Sequence, residues 1–159
     1  MIRLASPADA VRIAEIYRPY VLNTAITFEY DPPSAEEMEK RIAGTLPAFP
    51  YLVWEEDGVV LGYAYASAPY TRAAFSWCAE PSIYLRPEAK GRGIGRKLYT
   101  VLEGILERQG YQVLYALITA ENEESLAFHR KMGYETKVEF CNCGYKFNRW
   151  LGLIWMEKR

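Results

Sequence analysis

The segment Lys90-Gly91-Arg92-Gly93-Ile94-Gly95 is the densest group of ligand-binding residue types in this chain. Glycines let main-chain amides approach a bulky anion, and a helix starting here would add free N–H groups and the positive end of its dipole. Lys90, Arg92, Arg96 and Lys97 surround the same point, so a pyrophosphate suits the pattern. A tight strand-to-helix turn with solvated basic side chains is the plainer alternative. Two familiar phosphate loops do not fit. A Walker loop needs Lys and then Ser or Thr after its last glycine, whereas Gly95 precedes Arg96-Lys97-Leu98. A dinucleotide fingerprint needs GxGxxG early in an alternating βαβ chain, and this GxGxG lies mid-chain behind an antiparallel hairpin.

Asn122, Ser125 and His129 are spaced to share one helical face, with Asn122 also suited to cap that helix. His129 is the single histidine, and Cys78, Cys141 and Cys143 lack CxxC spacing, so no metal site is expected and small thiols are the simple reading. A Ser-His-Asp or Cys-His nucleophile would have to be built around His129, and nothing near it has that form.

Periodicity defines the framework around these residues. Ile2 to Ala5 reads as a short strand, Ser6-Pro7 starts a helix running to about Tyr20, and Ser34 caps a second ending near Gly44. Asp57-Gly58 predicts a hairpin between strands 51–55 and 59–66. Glu80 to Leu85 suits a buried strand. From Ile94, apolar residues at Leu98, Val101, Leu102, Ile105 and Leu106 define the best amphipathic helix, stopped by Gly110. Gln112 to Ile118 completes a parallel strand–helix–strand crossover. A helix from Asn122 to Met132 and two strands complete the chain, one alternating through Tyr134, Thr136, Val138 and Phe140, the other covering Trp150 to Met156. The expectation is one mixed α/β domain over residues 1–159, with a central mixed sheet of about seven strands flanked by about four helices.

Composition narrows the partners. The chain has 159 residues, 19 basic and 20 acidic side chains and a formal net charge of -1, which argues against a broad nucleic-acid surface. Apolar runs such as Leu151 to Met156 are far short of the ~18 residues of a membrane span, and Met1-Ile2-Arg3-Leu4 has no signal-peptide core. Neither nucleic acid nor membrane is expected as a partner, and the cytoplasm is the default location.

The order of elements and the glycine cluster together resemble the GNAT superfamily of N-acetyltransferases. Its acetyl-CoA motif is Arg or Gln, two residues, Gly, one residue, Gly or Ala. Lys90 stands at the Arg/Gln position, and Gly93 and Gly95 match. The resemblance covers nearly the whole chain and narrows to phosphinothricin N-acetyltransferases and relatives acting on methionine sulfoximine. It rests on Ala25-Ile26-Thr27-Phe28-Glu29 with Pro33-Ser34-Ala35-Glu36-Glu37-Met38, on Ala79-Glu80-Pro81-Ser82-Ile83-Tyr84, and on Gly144-Tyr145-Lys146-Phe147-Asn148-Arg149-Trp150-Leu151. Departures are Asn148 where Gly is common, Gly152 where Asp is common, and Pro81 where a polar residue usually follows the acid.

The resemblance implies transfer of an acetyl group from acetyl-CoA to the amino group of a small amino-acid-like acceptor by a homodimer without metal. Lys90, Gly91, Arg92, Gly93, Ile94, Gly95 and Arg96 would hold the pyrophosphate, and main-chain groups near Ile83, Tyr84 and Leu85 the pantetheine and thioester, with Asn122 and Ser125 beside the arm. Acetyl transfer needs the acceptor ammonium deprotonated, the oxyanion stabilised and the leaving thiolate protonated. Glu80 would be the general base, its pKa raised by burial among Tyr84, Trp77 and Phe75, and His129 would be the thiolate acid where many relatives have tyrosine. Arg72 would pair with an acceptor carboxylate, and Phe28, Glu29, Phe75 and Trp77 would wall its pocket, completed by Tyr145, Lys146 and Trp150 of this or a partner subunit. A polyamine, an aminoglycoside or a protein N-terminus is the alternative acceptor, and a non-catalytic acyl-CoA-binding module the alternative function.

Overall fold

In the computed structural model, which describes residues 1–159, Asp57 and Gly58 turn the chain with positive φ values of 48° and 76°. They join β2 (Tyr51–Glu56) to β3 (Val59–Ser67). β1 (Ile2–Leu4) pairs antiparallel with the outer side of β2, and β4 (Cys78–Leu85) pairs antiparallel with β3. β5 (Val113–Thr119) runs parallel to β4. The C-terminal hairpin of β6 (Glu135–Lys146) and β7 (Arg149–Lys158) adds through β7, giving one seven-stranded sheet in the order β1-β2-β3-β4-β5-β7-β6. The mixed α/β class expected from the sequence is the class observed.

Strand alternation decides which helix covers which face. Tyr51, Val53 and Tyr63 point to one side, where α1 (Ala10–Asn23) contributes Ile13, Ile16 and Val21 and α2 (Ala35–Thr45) contributes Met38 and Ile42. Leu52, Ala64, Ala66 and Ala79 point to the other, under Ile94, Leu98, Leu102 and Leu106 of α3 (Ile94–Arg108). α4 (Glu123–Lys131) packs Leu126 on that second side against Ala116, Ile118, Ile154 and Met156 of β5 and β7. The core under α1 and α2 reaches only as far as β4, which leaves this face of β5 and β7 without a helix.

Local details depart from the sequence expectation for identifiable causes. A short 3-10 turn, Pro7–Asp9, precedes α1, which runs through Pro19 to Asn23 rather than ending near Tyr20. Buried Val21 holds the extra turn in the core, and the Thr24 hydroxyl donates to the Tyr20 carbonyl at 2.6 Å. A strand forms over Thr136, Val138 and Phe140, but a bulge between Thr136 and Val138 breaks the expected alternation, and all three are exposed because β6 is the outermost strand. No helix is long and apolar enough to cross a membrane.

Leu102 is fully buried between α3 and the sheet. Leu102→Ala is expected to cost about 2–5 kcal/mol of stability, read as a lower urea midpoint at unchanged m-value. A midpoint shift within error would contradict the packing described.

Candidate active site

The parallel ladder between β4 and β5 consists of Cys78↔Val113 and Ala79↔Leu114 and then stops. Pro81 explains why. The Ala66 N–H donates to the Pro50 carbonyl, away from β4, so Ala66 and Pro81 form a non-hydrogen-bonded pair, and the Pro81 main chain faces β5. Proline has no N–H to offer there. The strands part, and a cleft of about 60 Å3 opens between them, lined by Pro81, Ser82, Ile83 and Tyr84 on one wall and Ala116, Leu117 and Ile118 on the other.

The same alternation turns the main-chain groups of Ile83 and Leu85 toward this cleft, whereas those of Tyr84 are committed to Tyr63 in β3. Of the three residues expected to offer backbone groups to a pantetheine, only Ile83 and Leu85 are oriented to do so. The Leu85 carbonyl already accepts from the Tyr20 hydroxyl at 2.5 Å, and the Tyr99 hydroxyl oxygen lies 3.3 Å from the Pro81 carbonyl.

Past Leu85 the chain makes a 3-10 turn, Pro87–Ala89, and then the glycine cluster. Gly91 and Gly93 have φ values of 73° and 76°, and Gly93 is the N-cap of α3. Gly95 is not strained: a Cβ there would lie 3.4 Å from Leu85 Cδ1 and 3.5 Å from Ile83 Cδ1, ordinary packing distances against β4. The first amides of α3 have no partner within the helix. Not all the basic side chains converge on them. Arg92 Nη2 donates to both carboxylate oxygens of Glu56, at 2.9 and 2.8 Å, and Lys90 reaches Glu124 at 3.3 Å. Lys97 lies over the Trp54 ring, and Arg96 has no ion-pair partner. Exposed pairs of this kind are worth about 1 kcal/mol or less, so an incoming diphosphate can exchange with their carboxylates.

Glu80 is the first β4 residue beyond the last ladder pair. It is partly buried, makes no hydrogen bond or salt bridge, and burial raises its carboxyl pKa. Of the three neighbours expected for it, Tyr84 packs against the core under α1 and α2, while the other two are more open. Phe75 and Trp77 are 42% and 61% exposed, because they lie on the connection before β4 rather than over it. Burial raises the pKa values of the Tyr65 and Tyr99 hydroxyls, and the Glu80 charge adds to both in the same direction.

Asn122 caps α4 by accepting from the Ser125 N–H at 3.2 Å, and its side chain faces the cleft with Ser125 and His129. His129 is 4% exposed and burial lowers its pKa, so it is neutral at pH 7. Both ring nitrogens are engaged: Nδ1 donates to the Ser125 carbonyl at 2.8 Å, and Nε2 accepts from the Tyr99 hydroxyl at 2.7 Å. Tyr99 and Ser82 line the cleft and were not among the expected site residues. A polar-tipped aromatic within the apolar stripe of α3 was the signal for Tyr99.

The residues expected on the acceptor side are less tightly gathered. Arg72 is exposed and unpaired, and Phe75 packs on Tyr70 with ring centroids 4.5 Å apart. Phe28 belongs to the α1–α2 connection and lies against Gly144 of β6.

A sheet split between parallel strands, with a left-handed glycine turn opening onto a helix at one end and a desolvated, unpaired carboxylate at the other, defines an acyl-coenzyme-binding transferase. The model of the acetyltransferase (GNAT) domain family matches residues 2–155, and the chain belongs to that family. It is 38% identical over 98% of its length to an L-amino acid N-acyltransferase of Escherichia coli (strain K12), covering 91% of that protein. It is 35% identical to a phosphinothricin N-acetyltransferase of Alcaligenes faecalis over 99% of this chain and 81% of the other. The crystal structure of a phosphinothricin acetyltransferase from Sinorhizobium meliloti in complex with acetyl-CoA superposes with a TM-score of 0.95 at 41% identity, covering 99% of this chain and 86% of that one. The protein is an acetyl-CoA-dependent N-acetyltransferase.

A carboxyl whose pKa is raised on folding stabilises the protein only while protonated, and that contribution is lost as pH rises through its folded value. Glu80→Gln is therefore expected to raise the melting temperature at pH 7, with the gain shrinking toward pH 4. Equal melting temperatures at pH 7 would remove the desolvation assigned to Glu80.

Proposed function

We propose that this protein acetylates the α-amino group of a small amino-acid-like acceptor, phosphinothricin or methionine sulfoximine among them, with Glu80 as general base. The observation that carries this reading is the Glu80 carboxylate: partly desolvated, unpaired and next to the point where the strands separate. The names of the relatives support the acceptor class.

The residues present fit acetyl-CoA. Cβ atoms at Gly91 and Gly93 would meet nothing within 4 Å, so these glycines serve conformation, and α3 offers its free amides beside Arg96. When bound, the co-substrate supplies an activated acetyl carbon. Glu80 takes a proton from the acceptor ammonium, directly or through a water, leaving the nitrogen lone pair free to form the new C–N bond. Main-chain N–H groups of β4 facing the cleft polarise the carbonyl oxygen. The leaving sulfur needs a proton, and the Tyr99 and Ser125 hydroxyls line the cleft. His129 joins them, with Ser125 Oγ 3.2 Å from Nδ1 and the Tyr99 hydroxyl on Nε2. With its one ring proton on Nδ1 and given to the Ser125 carbonyl, His129 positions the Tyr99 hydroxyl through Nε2 rather than supplying the proton itself. Arg72 pairs with the acceptor carboxylate, and Phe28, Phe75 and Trp77 form the apolar wall. An unpaired arginine at the acceptor side favours an anionic amino acid over a polyamine or aminoglycoside.

Thiol release from acetyl-CoA is expected to rise when phosphinothricin or methionine sulfoximine is added. Glu80→Gln should lower kcat/KM by about 100-fold or more, and Arg72→Ala should raise the acceptor KM while sparing that of acetyl-CoA. Unchanged kcat/KM in Glu80→Gln would sink the base assignment, and no release with any amino acid would sink the acceptor class.

A homodimer is the assembly we propose. β6 is exposed along nearly its whole length, and Val138, Phe140 and Trp150 are large apolar residues open to solvent on the C-terminal hairpin. Light scattering should give twice the mass of the chain, and a monomer at micromolar concentration would reject it.

A further inference from the structure

Lys146, near the end of β6, is 4% exposed yet makes no salt bridge. Its ammonium donates to two main-chain carbonyls instead, those of Thr24 at 2.8 Å and Thr27 at 2.9 Å. Both belong to the α1–α2 connection, which has no regular structure of its own from Thr24 to Ser34. Glu29 is the nearest acid that acts on Lys146, and it is already held by Arg41 through two bonds of 3.0 and 2.7 Å and by the Tyr17 hydroxyl. A buried ammonium without a counter-ion is costly, and an apolar side chain of the same length would pack there without that cost. The charge is used to capture carbonyls.

What those carbonyls carry bears on the site. Residues beside the anchored carbonyls are displayed toward it: Ile26 lines the cleft, and Phe28 belongs to the proposed acceptor wall. The connection is tied at further points. The Thr119 hydroxyl at the end of β5 donates to the Ala25 carbonyl at 2.5 Å, the Tyr17 and Thr27 hydroxyls lie 2.6 Å apart, and the Tyr30 hydroxyl donates to the Tyr145 carbonyl. Phe28 lies so close to Gly144 that a Cβ there would be 2.5 Å from the ring. Of these ties, Lys146 alone holds two carbonyls from one atom, and it does so from the strand paired with β7, across the sheet from Glu80.

We propose that Lys146 is a positioning residue for acceptor binding: it pins the α1–α2 connection through the Thr24 and Thr27 carbonyls and so sets where Ile26 and Phe28 stand relative to Glu80. This rests on the acceptor reading given above. Lysine here serves the acceptor wall rather than the stability of the fold, and its role is separate from the coenzyme loop at residues 90–96.

The test uses the full-length protein with Lys146→Met, Lys146→Arg and Gly144→Ala. For Lys146→Met, the expected result is an acceptor KM raised about 10-fold or more, an acetyl-CoA KM within about 2-fold, and a melting temperature equal to or above that of the parent. Lys146→Arg, which keeps donors for both carbonyls, should recover part of the acceptor KM. Gly144→Ala displaces Phe28 without touching the lysine and should reproduce the acceptor defect. Amide hydrogen exchange over residues 24–30 should accelerate in Lys146→Met, with exchange in β4 unchanged. An unchanged acceptor KM in Lys146→Met, or a parallel rise in both KM values with a lowered melting temperature, would overturn the proposal. If Lys146→Met does not fold, Lys146→Gln, which keeps a side-chain donor for one carbonyl, is read by the same KM and exchange criteria. If the parent acetylates no amino acid, the acceptor reading has failed, and the exchange measurement still tests whether Lys146 pins the connection.

Discussion

Two pairs of residues, Cys78 with Val113 and Ala79 with Leu114, are all that join the halves of the sheet by a direct ladder, and the site exists because the strands part beyond them. Unpaired main-chain groups inside a protein are costly, so a sheet split in its middle is stable only if each strand is held by something else. β4 is held on its far side by β3 from Glu80 to Leu85, and β5 by β7 from Leu114 to Thr119. On one face, α3 reaches across the gap: Leu98 and Leu102 belong to the core over β3 and β4, while Tyr99 belongs to the core over β5 and β7. The cleft is thus a consequence of two well-paired half-sheets bridged by one helix.

That arrangement also fixes the electrostatics. The main chain of Glu80 is paired with Ser67 of β3, while its side chain is partly buried with no cation beside it, and that burial raises its pKa. Elsewhere the buried acids are paired closely, Asp9 with Arg3 at 2.8 Å and Glu29 with Arg41 at 2.7 Å, and both have lowered pKa values. The contrast separates an acid that can accept a proton near neutrality from acids that only hold elements together. Lys146 and Thr119 perform a mechanical version of the same division, tying an irregular connection to the second half-sheet by its carbonyls.

Much of this was legible from residue order. The Asp57-Gly58 hairpin, the stripe of Ile94, Leu98, Leu102 and Leu106, and the Asn122 cap are local signals, and each appears where expected. The left-handed Gly91 and Gly93 are of the same kind. Expectations that depended on neighbours distant in sequence fared differently. Phe75 and Trp77, expected to help bury Glu80, are largely open to solvent in the single chain. Arg92 is engaged by Glu56, which lies 36 residues away in the chain, so its pairing had no local trace. The alternation in β6 foretold a strand but not that its faces would be open, because that depends on being outermost in the sheet.

Residue order was enough to define the elements, the glycine turn and the class of chemistry, because capping, turn formation and hydrophobic periodicity act over a few residues. Pro81 belongs to this group as well: the missing N–H is a property of the residue type. It took the assembled fold to aim this missing donor at β5, to engage both nitrogens of His129 through Tyr99 and Ser125, and to bring the Lys146 ammonium onto the carbonyls of Thr24 and Thr27. Each of these is set by register and by packing between segments far apart in the chain, and such geometry exists only once the half-sheets have come together.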